Sequence, residues 1–261
     1  MMKKLISLML AAALLLTAVC ALAEGESDKA YVLGKGKLVV GITDFEPIDY
    51  RGEDGEWIGF DADMARAFAA WLGVEVEFAE INWDNKVFEL NGRTIDCVWN
   101  GMTLNAEVMA AMATSNPYAD NAQVVVVPAD KAADYQTVES IAGLTFAVEA
   151  GSAGEEQISL LGYAANPVES QAMALLEVAG LTSDAAVIDL LMASAMVGEG
   201  TDYANLAYTV SLNSEQYGVG FRLGSDLVDD LNAFFAEAWA DGTMKEIAAR
   251  YNIVDVVVPQ E

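Results

Sequence analysis

GFDADMARAFAAWLGVEVEF, residues 59–78, joins a helix pattern to a strand pattern. Its apolar residues recur at helical spacing over Phe60–Leu72, and Gly73 is a typical residue for the end of a helix. Residues 74–78 then alternate apolar and acidic side chains, as a half-buried strand does. Because the apolar β run Lys37–Ile42 comes before it, this part of the chain predicts a strand, a helix and a second strand.

The same alternation continues along the rest of the chain. Apolar runs predict strands over 95–99, 123–127, 144–148, 185–188 and 216–221. Helical spacing predicts helices over 84–90, 170–179, 190–196, 225–239 and 243–251. Strands that alternate with helices predict an α/β fold with mainly parallel sheets.

Composition and charge exclude several functions. The chain has 261 residues, enough for one large domain or two smaller ones. It carries 40 acidic and 13 basic residues, and a net charge of −27 disfavours binding to nucleic acid or anionic lipid. It contains no histidine, so triads and metal sites that need one are excluded, and 2 cysteines cannot build a zinc cluster. We therefore expect no metal, no cofactor and no nucleic-acid partner.

The first residues have the features of an export signal. Lys3 and Lys4 precede a short apolar run, and Ala21-Leu22-Ala23 is a typical cleavage site. Residues 1–23 are thus expected to be removed, and 24–34 to form a linker. A lipid anchor on Cys20 is an alternative, although residues 17–19 match the usual attachment pattern poorly. Either way the chain is expected in a periplasm or at the cell surface, with Cys97 as a reduced core residue.

Seven short motifs follow in a recognisable order. They are DFEPIDY (44–50), GFDAD (59–63), DCVWNGMTLN (96–105), NPY (116–118), EAGSAG (149–154), AAVID (185–189) and QYG (216–218). Together they resemble the motifs of amino-acid-binding proteins of bacterial ABC importers, the family 3 extracellular solute-binding proteins. The resemblance runs from Lys35 to Tyr251.

This resemblance implies a type II periplasmic-binding-protein fold. Its two α/β lobes are joined by two crossing strands that act as a hinge, and a ligand lies in the cleft between them. Lobe 1 would comprise residues 35–122 and 217–261, and lobe 2 residues 123–216. The implied function is a monomeric receptor, not an enzyme, that delivers an amino acid or another small amine to a membrane permease.

The resemblance also assigns polar ligand-binding residues. Asp189 would pair with an ammonium group, while Thr103 and Gly101 would add a hydroxyl and a backbone group. Ser152 would bind an anionic group at a helix N-terminus. Each has a structural alternative: Asp189 and Ser152 could cap helices, and Thr103 and Gly101 could belong to an ordinary turn.

Three aromatic residues are candidates for the walls of the cleft. Phe45 resembles the ring that lies over the ligand in the family. Trp99 stands beside the Gly101 loop and could form an apolar wall. Phe60 could do the same, although it also fits the core stripe of its helix. For all three, burial in the core is the alternative.

One departure from the family pattern concerns the ligand carboxylate. The family has an arginine clamp where this chain has Val108, and a second threonine where it has Asn105. Lys86 and Arg222 are conceivable substitutes, but both are expected on the solvated surface. The ligand is then either an amino acid whose carboxylate is held only by N–H groups near Ser152 and Thr103, or a ligand that lacks an α-carboxylate or is cationic overall. Acidic residues of the cleft segments would favour a cation: Asp44, Glu46, Asp49, Glu149 and Asp189.

Two other functions compete with an import receptor. One is a free-standing sensory receptor with a separate partner. The other is an exported dehydratase of the cyclohexadienyl type, with Glu149 as a general acid. Without histidine, and without the arginine clamp that a carboxylated substrate would need, the receptor is the favoured interpretation.

Overall fold

The computed structural model describes residues 27–260. Its strands are β1 (Lys37–Ile42), β2 (Tyr50–Arg51), β3 (Trp57–Ile58), β4 (Glu75–Glu80), β5 (Cys97–Thr103), β6 (Ala113–Thr114), β7 (Ala119–Asn121), β8 (Gln123–Pro128), β9 (Phe146–Glu149), β10 (Ala165–Val168), β11 (Ala185–Asp189), β12 (Leu206–Ser211) and β13 (Glu215–Phe221). Its α-helices are α1 (Asp28–Lys35), α2 (Phe60–Leu72), α3 (Lys86–Asn91), α4 (Ala106–Ala111), α5 (Ala153–Leu161), α6 (Gln171–Ala179), α7 (Leu190–Met196), α8 (Leu227–Ala240) and α9 (Thr243–Arg250).

The strands form two main sheets. The first has the order β4-β1-β5-β13-β6, with β7 also paired to β13, and the second has the order β10-β9-β11-β8-β12. In the first sheet β1 is parallel to β4 and β5, whereas β13 is antiparallel to its neighbours. In the second, β9 is parallel to β10 and β11, and β8 is antiparallel to β11 and β12. The α/β prediction is confirmed, but the sheets are mixed and not mainly parallel, because β8 and β13 run antiparallel to their neighbours.

Two short segments connect the sheets. Ala122 joins β7 to β8, and residues 212–214 join β12 to β13. The segments lie side by side, since the Leu212 N–H donates to the carbonyl of Gln123 over 2.8 Å. We call residues 27–121 with 215–260 lobe 1, and residues 123–211 lobe 2. β13 already begins at Glu215, two residues before the expected return to lobe 1.

Helix α2 has the bounds that its sequence predicts. Phe60, Met64 and Phe68 are buried on one face, and Gly73 ends the helix in the left-handed conformation. At the other end, a Cβ on Gly59 would lie 2.1 Å from the carbonyl oxygen of Ile48. Glycine is therefore required where this helix meets the loop that carries Phe45.

Helix α1 corrects the expected linker over 24–34. The Ser27 hydroxyl caps it by accepting from the Ala30 N–H over 2.9 Å. Asp28 then pairs with Arg222 over 2.9 Å, and the Arg222 guanidinium also donates to backbone carbonyls of Leu90 and Ile95. Arg222 is thus a structural ion-pair partner and not the solvated residue that we expected.

Some expectations concern residues outside 27–260 or the membrane. The expected signal peptide and Cys20 lie outside the described residues. Within residues 27–260, Cys97 is a buried free cysteine. Within the described chain, no helix has the length and apolarity needed to span a bilayer.

Candidate functional site

The two lobes face each other across a cleft that both of them line. Lobe 1 contributes residues of β5, α3 and the loop after β1, and lobe 2 contributes the ends of β9 and β11 and the start of α5. The cleft residues are Thr43, Phe45, Trp83, Lys86, Asn100, Gly101, Met102, Thr103, Asn105, Val108, Glu149, Gly151, Ser152, Ala153, Gln171 and Asp189.

The lobes are closed on each other. Asn105 of lobe 1 donates through Nδ2 to the Glu156 carboxylate of lobe 2 over 2.7 Å. Lys86 Nζ donates to the Gly151 carbonyl over 2.9 Å. The free space within the cleft is about 30 Å³, room for about two water molecules. An amino acid can therefore enter only if the lobes separate or the lining side chains move.

Asp189 ends β11 inside the cleft and is 4% exposed. Its Oδ1 accepts from Asn121 Nδ2, from Gln123 Nε2 over 3.0 Å and from Tyr217 Oη over 2.6 Å. Its Oδ2 accepts one hydrogen bond from the described residues, from Gln171 Nε2. The side chain makes no capping bond to α7, so the capping alternative is not realised. Burial and the nearby Glu215 raise the pKa of Asp189 to about 7, against the effect of these donors.

Glu149 ends β9 beside Asp189 and is 3% exposed. Its buried Oε1 accepts no hydrogen bond from the described residues. Burial first, and the charge of Asp189 second, raise the pKa of Glu149 to about 8, while Lys86 and Gln171 oppose this rise. Lobe 2 therefore presents two carboxyl groups to the cleft, and one of them has an unused oxygen.

Lys86 is the basic residue that the described cleft contains, and its exposure is 8%. Besides Gly151, its Nζ donates to the Trp83 carbonyl over 3.2 Å and lies 4.8 Å from the centroid of the Trp83 ring. Burial lowers the pKa of Lys86, although the nearby Glu149 opposes this. The expectation of a solvated Lys86 was wrong because the short helix α3 turns this residue toward lobe 2.

Strand β5 supplies the opposite wall. Asn100 accepts from the Thr43 N–H over 3.0 Å and donates to Asp49 over 2.8 Å. The Gly101 N–H donates to Asp61 over 2.7 Å. Thr103 donates its hydroxyl to Glu215 over 2.9 Å. These bonds hold the wall from behind.

Five of the seven expected site residues line the cleft. They are Phe45, Gly101, Thr103, Ser152 and Asp189. Ser152 also caps α5, since its hydroxyl accepts from the Glu155 N–H over 3.2 Å. Val108 lines the cleft as well and packs with Trp83 and Met102. Their role in binding stays a proposal.

Trp99 and Phe60 do not line the cleft. Trp99 is 1% exposed and packs edge-on against Phe68 and Phe235, with ring centroids 6.2 and 5.7 Å apart. Phe60 packs against Tyr118 at 6.0 Å. Both belong to the core of lobe 1, so their assignment to the wall was wrong. Asp44, Glu46 and Asp49, expected near the cleft, are not among its lining residues either.

Sequence reasoning gave no role to several lining residues, and three of these contact a charged group. Trp83, Gln171 and Asn100 were given no role, although each makes a polar or stacking contact to a charged group here. Gln171 carried a usable signal, because it is a polar residue in the first turn of the helix predicted over 170–179, and the structure places it against Asp189. An amide there can hold a carboxylate while leaving one of its oxygens accessible.

Comparison with known proteins identifies the family. Residues 38–253 match the family described as bacterial extracellular solute-binding proteins, family 3. The L-cystine-binding protein of Escherichia coli (strain K12) is 27% identical over 232 residues, covering 85% of each chain. A Streptococcus pneumoniae ABC uptake transporter substrate-binding protein with bound histidine superposes with a TM-score of 0.82 at 28% identity, covering 89% of this chain and 99% of the other.

An enzyme is also among the relatives. Cyclohexadienyl dehydratase of Pseudomonas aeruginosa is 31% identical over 148 residues, which cover 56% of this chain and 55% of the enzyme. The match to the family spans most of the chain, and the fold is the two-lobe type II fold that the motifs predicted. This chain therefore belongs to the bacterial extracellular solute-binding proteins of family 3.

Proposed function

We propose that this chain is an exported receptor that captures an amino acid between its lobes and delivers it to an ABC importer. The observation that carries the proposal is Asp189, a buried carboxylate that faces the cleft at the end of β11. Its four donors fix its orientation and favour its charged form. A buried carboxylate in a closing cleft is an anchor for an ammonium group.

Counting lone pairs leaves a place for this ammonium. An ionised carboxylate offers about four acceptor sites, two on each oxygen. Oδ1 of Asp189 is crowded by three donors, whereas Oδ2 receives Gln171. The unused Oε1 of Glu149 lies on the same side of the cleft. One ammonium can donate to both groups, and its charge compensates the burial of two neighbouring carboxyls.

Contacts from both lobes would make binding drive closure. The ammonium site belongs to lobe 2, while Phe45, Asn100 and Thr103 face it from lobe 1. A ligand shifts a hinge equilibrium only if it interacts better with the closed state. Capture and closure are thus one event, and the closed form is the form that a permease would recognise. We propose that the receptor acts as a monomer.

A second candidate function, an exported dehydratase, is favoured by Glu149. Its pKa near 8 keeps this carboxyl protonated at neutral pH, as a general acid requires. Without any histidine, the chain offers few partners for such a reaction. Turnover of a bound ligand would select this function over the receptor.

A ligand screen followed by scattering tests the proposal. The mature chain, residues 24–261, would be heated with each of the twenty amino acids, cystine and a set of small amines. A ligand at 100 times its Kd adds about 2.7 kcal/mol to the free energy of unfolding. We expect one or a few amino acids to raise the unfolding temperature and to reduce the radius of gyration. No shift with any of them would refute the receptor, and a free-standing sensor would show closure without binding to a permease.

A further inference from the structure

We propose that Lys86 binds the carboxylate of the amino-acid ligand, in place of the arginine that Val108 replaces. This inference rests on the proposed receptor function and names a further binding residue for it. Lys86 and Val108 line the same cleft from lobe 1, on helices α3 and α4. This chain therefore has a positive charge on α3, whereas the family pattern has it on α4.

Lys86 is buried, yet it makes no salt bridge with a described carboxylate. Its described hydrogen-bond acceptors are the backbone carbonyls of Gly151 and Trp83, which carry no net charge. None of the ion pairs between described residues includes it. Burying an ammonium costs several kcal/mol unless a negative group compensates it. A ligand carboxylate would supply that group.

Its geometry leaves one proton for the ligand. A lysine ammonium has three N–H donors, and two of them are used by the carbonyls. The indole ring of Trp83 covers one side of Nζ at 4.8 Å. The third donor has no acceptor among the described residues, and Lys86 lines the cleft.

The helix that begins beside Lys86 cannot serve as the anion site alone. Ser152 and Gly151 lie at the start of α5, where a helix usually favours anions. However, the Gly151 N–H already donates to Glu155 over 2.7 Å, and the Ser152 hydroxyl caps the Glu155 N–H. Two acids in the first turn, Glu155 and Glu156, further reduce the attraction for an anion. A full positive charge is needed, and Lys86 provides it.

Four acidic residues face Lys86 and must be compatible with an incoming carboxylate. Asp84, Glu107 and Glu155 lie along the rim, and Glu149 lies inside the cleft. Burial and Asp189 raise the pKa of Glu149 to about 8, so this carboxyl is neutral at pH 7. In that state it does not neutralise Lys86 in the unliganded protein.

The outer groove shows where the rest of the ligand can lie. A space of about 500 Å³ continues outward from the cleft, past Val108 and Lys86, between α4 and α5. A ligand anchored by its ammonium at Asp189 and by its carboxylate at Lys86 could extend its side chain here. An arginine at position 108 would fill part of this passage, whereas valine leaves it open.

The test compares an amino acid with its decarboxylated amine. Calorimetry would measure L-histidine against histamine, and L-arginine against agmatine, on the wild type and on Lys86→Met. Removing one partner of a buried pair typically weakens binding by about 100-fold or more. We expect Lys86→Met to weaken the amino acids by this factor and to leave the amines within about threefold. Methionine keeps the length of the side chain, and thermal unfolding would verify that the variant folds.

Two further variants make the result specific. Lys131→Met removes an exposed lysine from lobe 2 and should change neither affinity. Lys86→Met with Val108→Arg should recover at least part of the amino-acid affinity, because the charge returns to the cleft. If the wild type binds an amino acid but not its amine, the amine comparison gives no result. Recovery of amino-acid affinity in the double variant then supports the carboxylate role of Lys86, and no recovery contradicts it.

Other outcomes would overturn the inference. Equal loss for amino acid and amine would make the lysine a structural bridge to Gly151, and unchanged affinity would remove it from the site. If the wild type bound only amines, the carboxylate site would be refuted while the receptor function survived. If no amino acid or amine bound at all, the proposed function would fail first.

Discussion

Asp49 and Asp61 of lobe 1 and Glu149 and Asp189 of lobe 2 are all buried carboxyl groups, but only the pair of lobe 2 lines the cleft. Asp49 and Asp61 of lobe 1 are fully buried behind β5, where they bind Asn100 and the Gly101 N–H. Glu149 and Asp189 of lobe 2 line the cleft itself. Burial raises the pKa of Asp61 and of Asp189 to about 7 alike. A raised pKa thus marks burial, and only the position relative to the cleft separates a binding group from a positioning group.

The difference follows from what each carboxylate is bonded to. Asp61 accepts from the Tyr118 hydroxyl and from Gly101, both parts of lobe 1. Asp189 accepts from Asn121 and Tyr217 of lobe 1 and from Gln171 of lobe 2. The first network fixes a wall within one lobe. The second network lies where the lobes meet, so a substitution in it should change both ligand affinity and lobe closure.

The largest expected effect separates these two networks. Asp189→Asn should weaken amine and amino-acid binding by two to four decades, because loss of a buried charge partner costs about 3–5 kcal/mol. Asp61→Asn, the matched change in lobe 1, should keep affinity within about tenfold, since it acts only through the wall. Calorimetry with the best ligand of the screen measures both. If Asp189→Asn bound as tightly as the wild type, the ammonium site would lie elsewhere.

Substitutions at two glycines test whether contacts within lobe 1 determine stability while contacts between the lobes determine closure. A Cβ on Gly101 would lie 2.6 Å from the Phe45 ring, within lobe 1, at a φ of +55°. Gly101→Ala should therefore lower the free energy of unfolding by about 2–4 kcal/mol through strain and overpacking. A Cβ on Gly151 of lobe 2 would instead lie 2.9 Å from Asp84 of lobe 1.

Gly151→Ala should consequently act on closure more than on stability. Its Cβ meets lobe 1 only when the lobes are together, so the variant should bind ligand at least tenfold more weakly. An alanine at its φ of +71° strains the folded state, which should lower the free energy of unfolding by about 1 kcal/mol. Thermal unfolding would measure the stability of both variants, and calorimetry would measure their affinity for ligand. Equal loss of stability in the two would contradict this division.

The sequence predicts the framework better than the walls of the site. Helix α2 matched its predicted bounds because a long apolar stripe and two flanking glycines agree. Helix α1 was missed because its apolar stripe is weak, with Val32 as its buried apolar residue. Strand β12 was missed because it is an edge strand with a mixed pattern of buried and exposed residues.

The order of the motifs correctly placed several residues in the cleft. Residue type alone gave wrong positions for Trp99 and Lys86. Trp99 lies on β5, whose residues are buried on both faces, so no alternation distinguishes the cleft side from the core side. Lys86 lies on a helix of 6 residues, too short for its period to show which face meets the other lobe. Both errors concern long-range packing, which neither spacing nor composition encodes.

A pH series tests the shared burial of the four acids. Asp49, Asp61, Glu149 and Asp189 all have a pKa above the ordinary value, so the folded chain binds more protons than the unfolded chain between about pH 4 and 8. Their stabilising effect is complete below the unfolded pKa and is lost as pH rises through the folded pKa. The free energy of unfolding should fall from pH 5 to pH 8.5 by at least about 1 kcal/mol.

The two lobes should differ in this series once ligand is present. A bound ammonium lowers the pKa of Glu149 and Asp189, which removes the contribution of lobe 2 to the slope. The contributions of Asp49 and Asp61 stay, so Asp61→Asn should reduce the remaining slope of the liganded protein. Unfolding temperatures at several pH values would show this. A stability that rose toward pH 8.5 without ligand would mean that these acids are not held protonated.

The smallest expected effect concerns the contact that joins the lobes at the rim. Asn105 caps α4 by accepting from the Val108 N–H over 2.8 Å and also donates to Glu156 of lobe 2. Asn105→Ala should cost about 1 kcal/mol of stability as a lost cap, and several-fold in affinity as a lost closure contact. Glu156→Ala removes only the cross-lobe bond, so it should lower affinity by the same factor without a loss of stability. Ser170→Ala, a cap within lobe 2, should lower stability alone. If Glu156→Ala left affinity unchanged, this bond would be incidental to closure, and the closing energy would have to come from ligand contacts with Asp189 and Lys86.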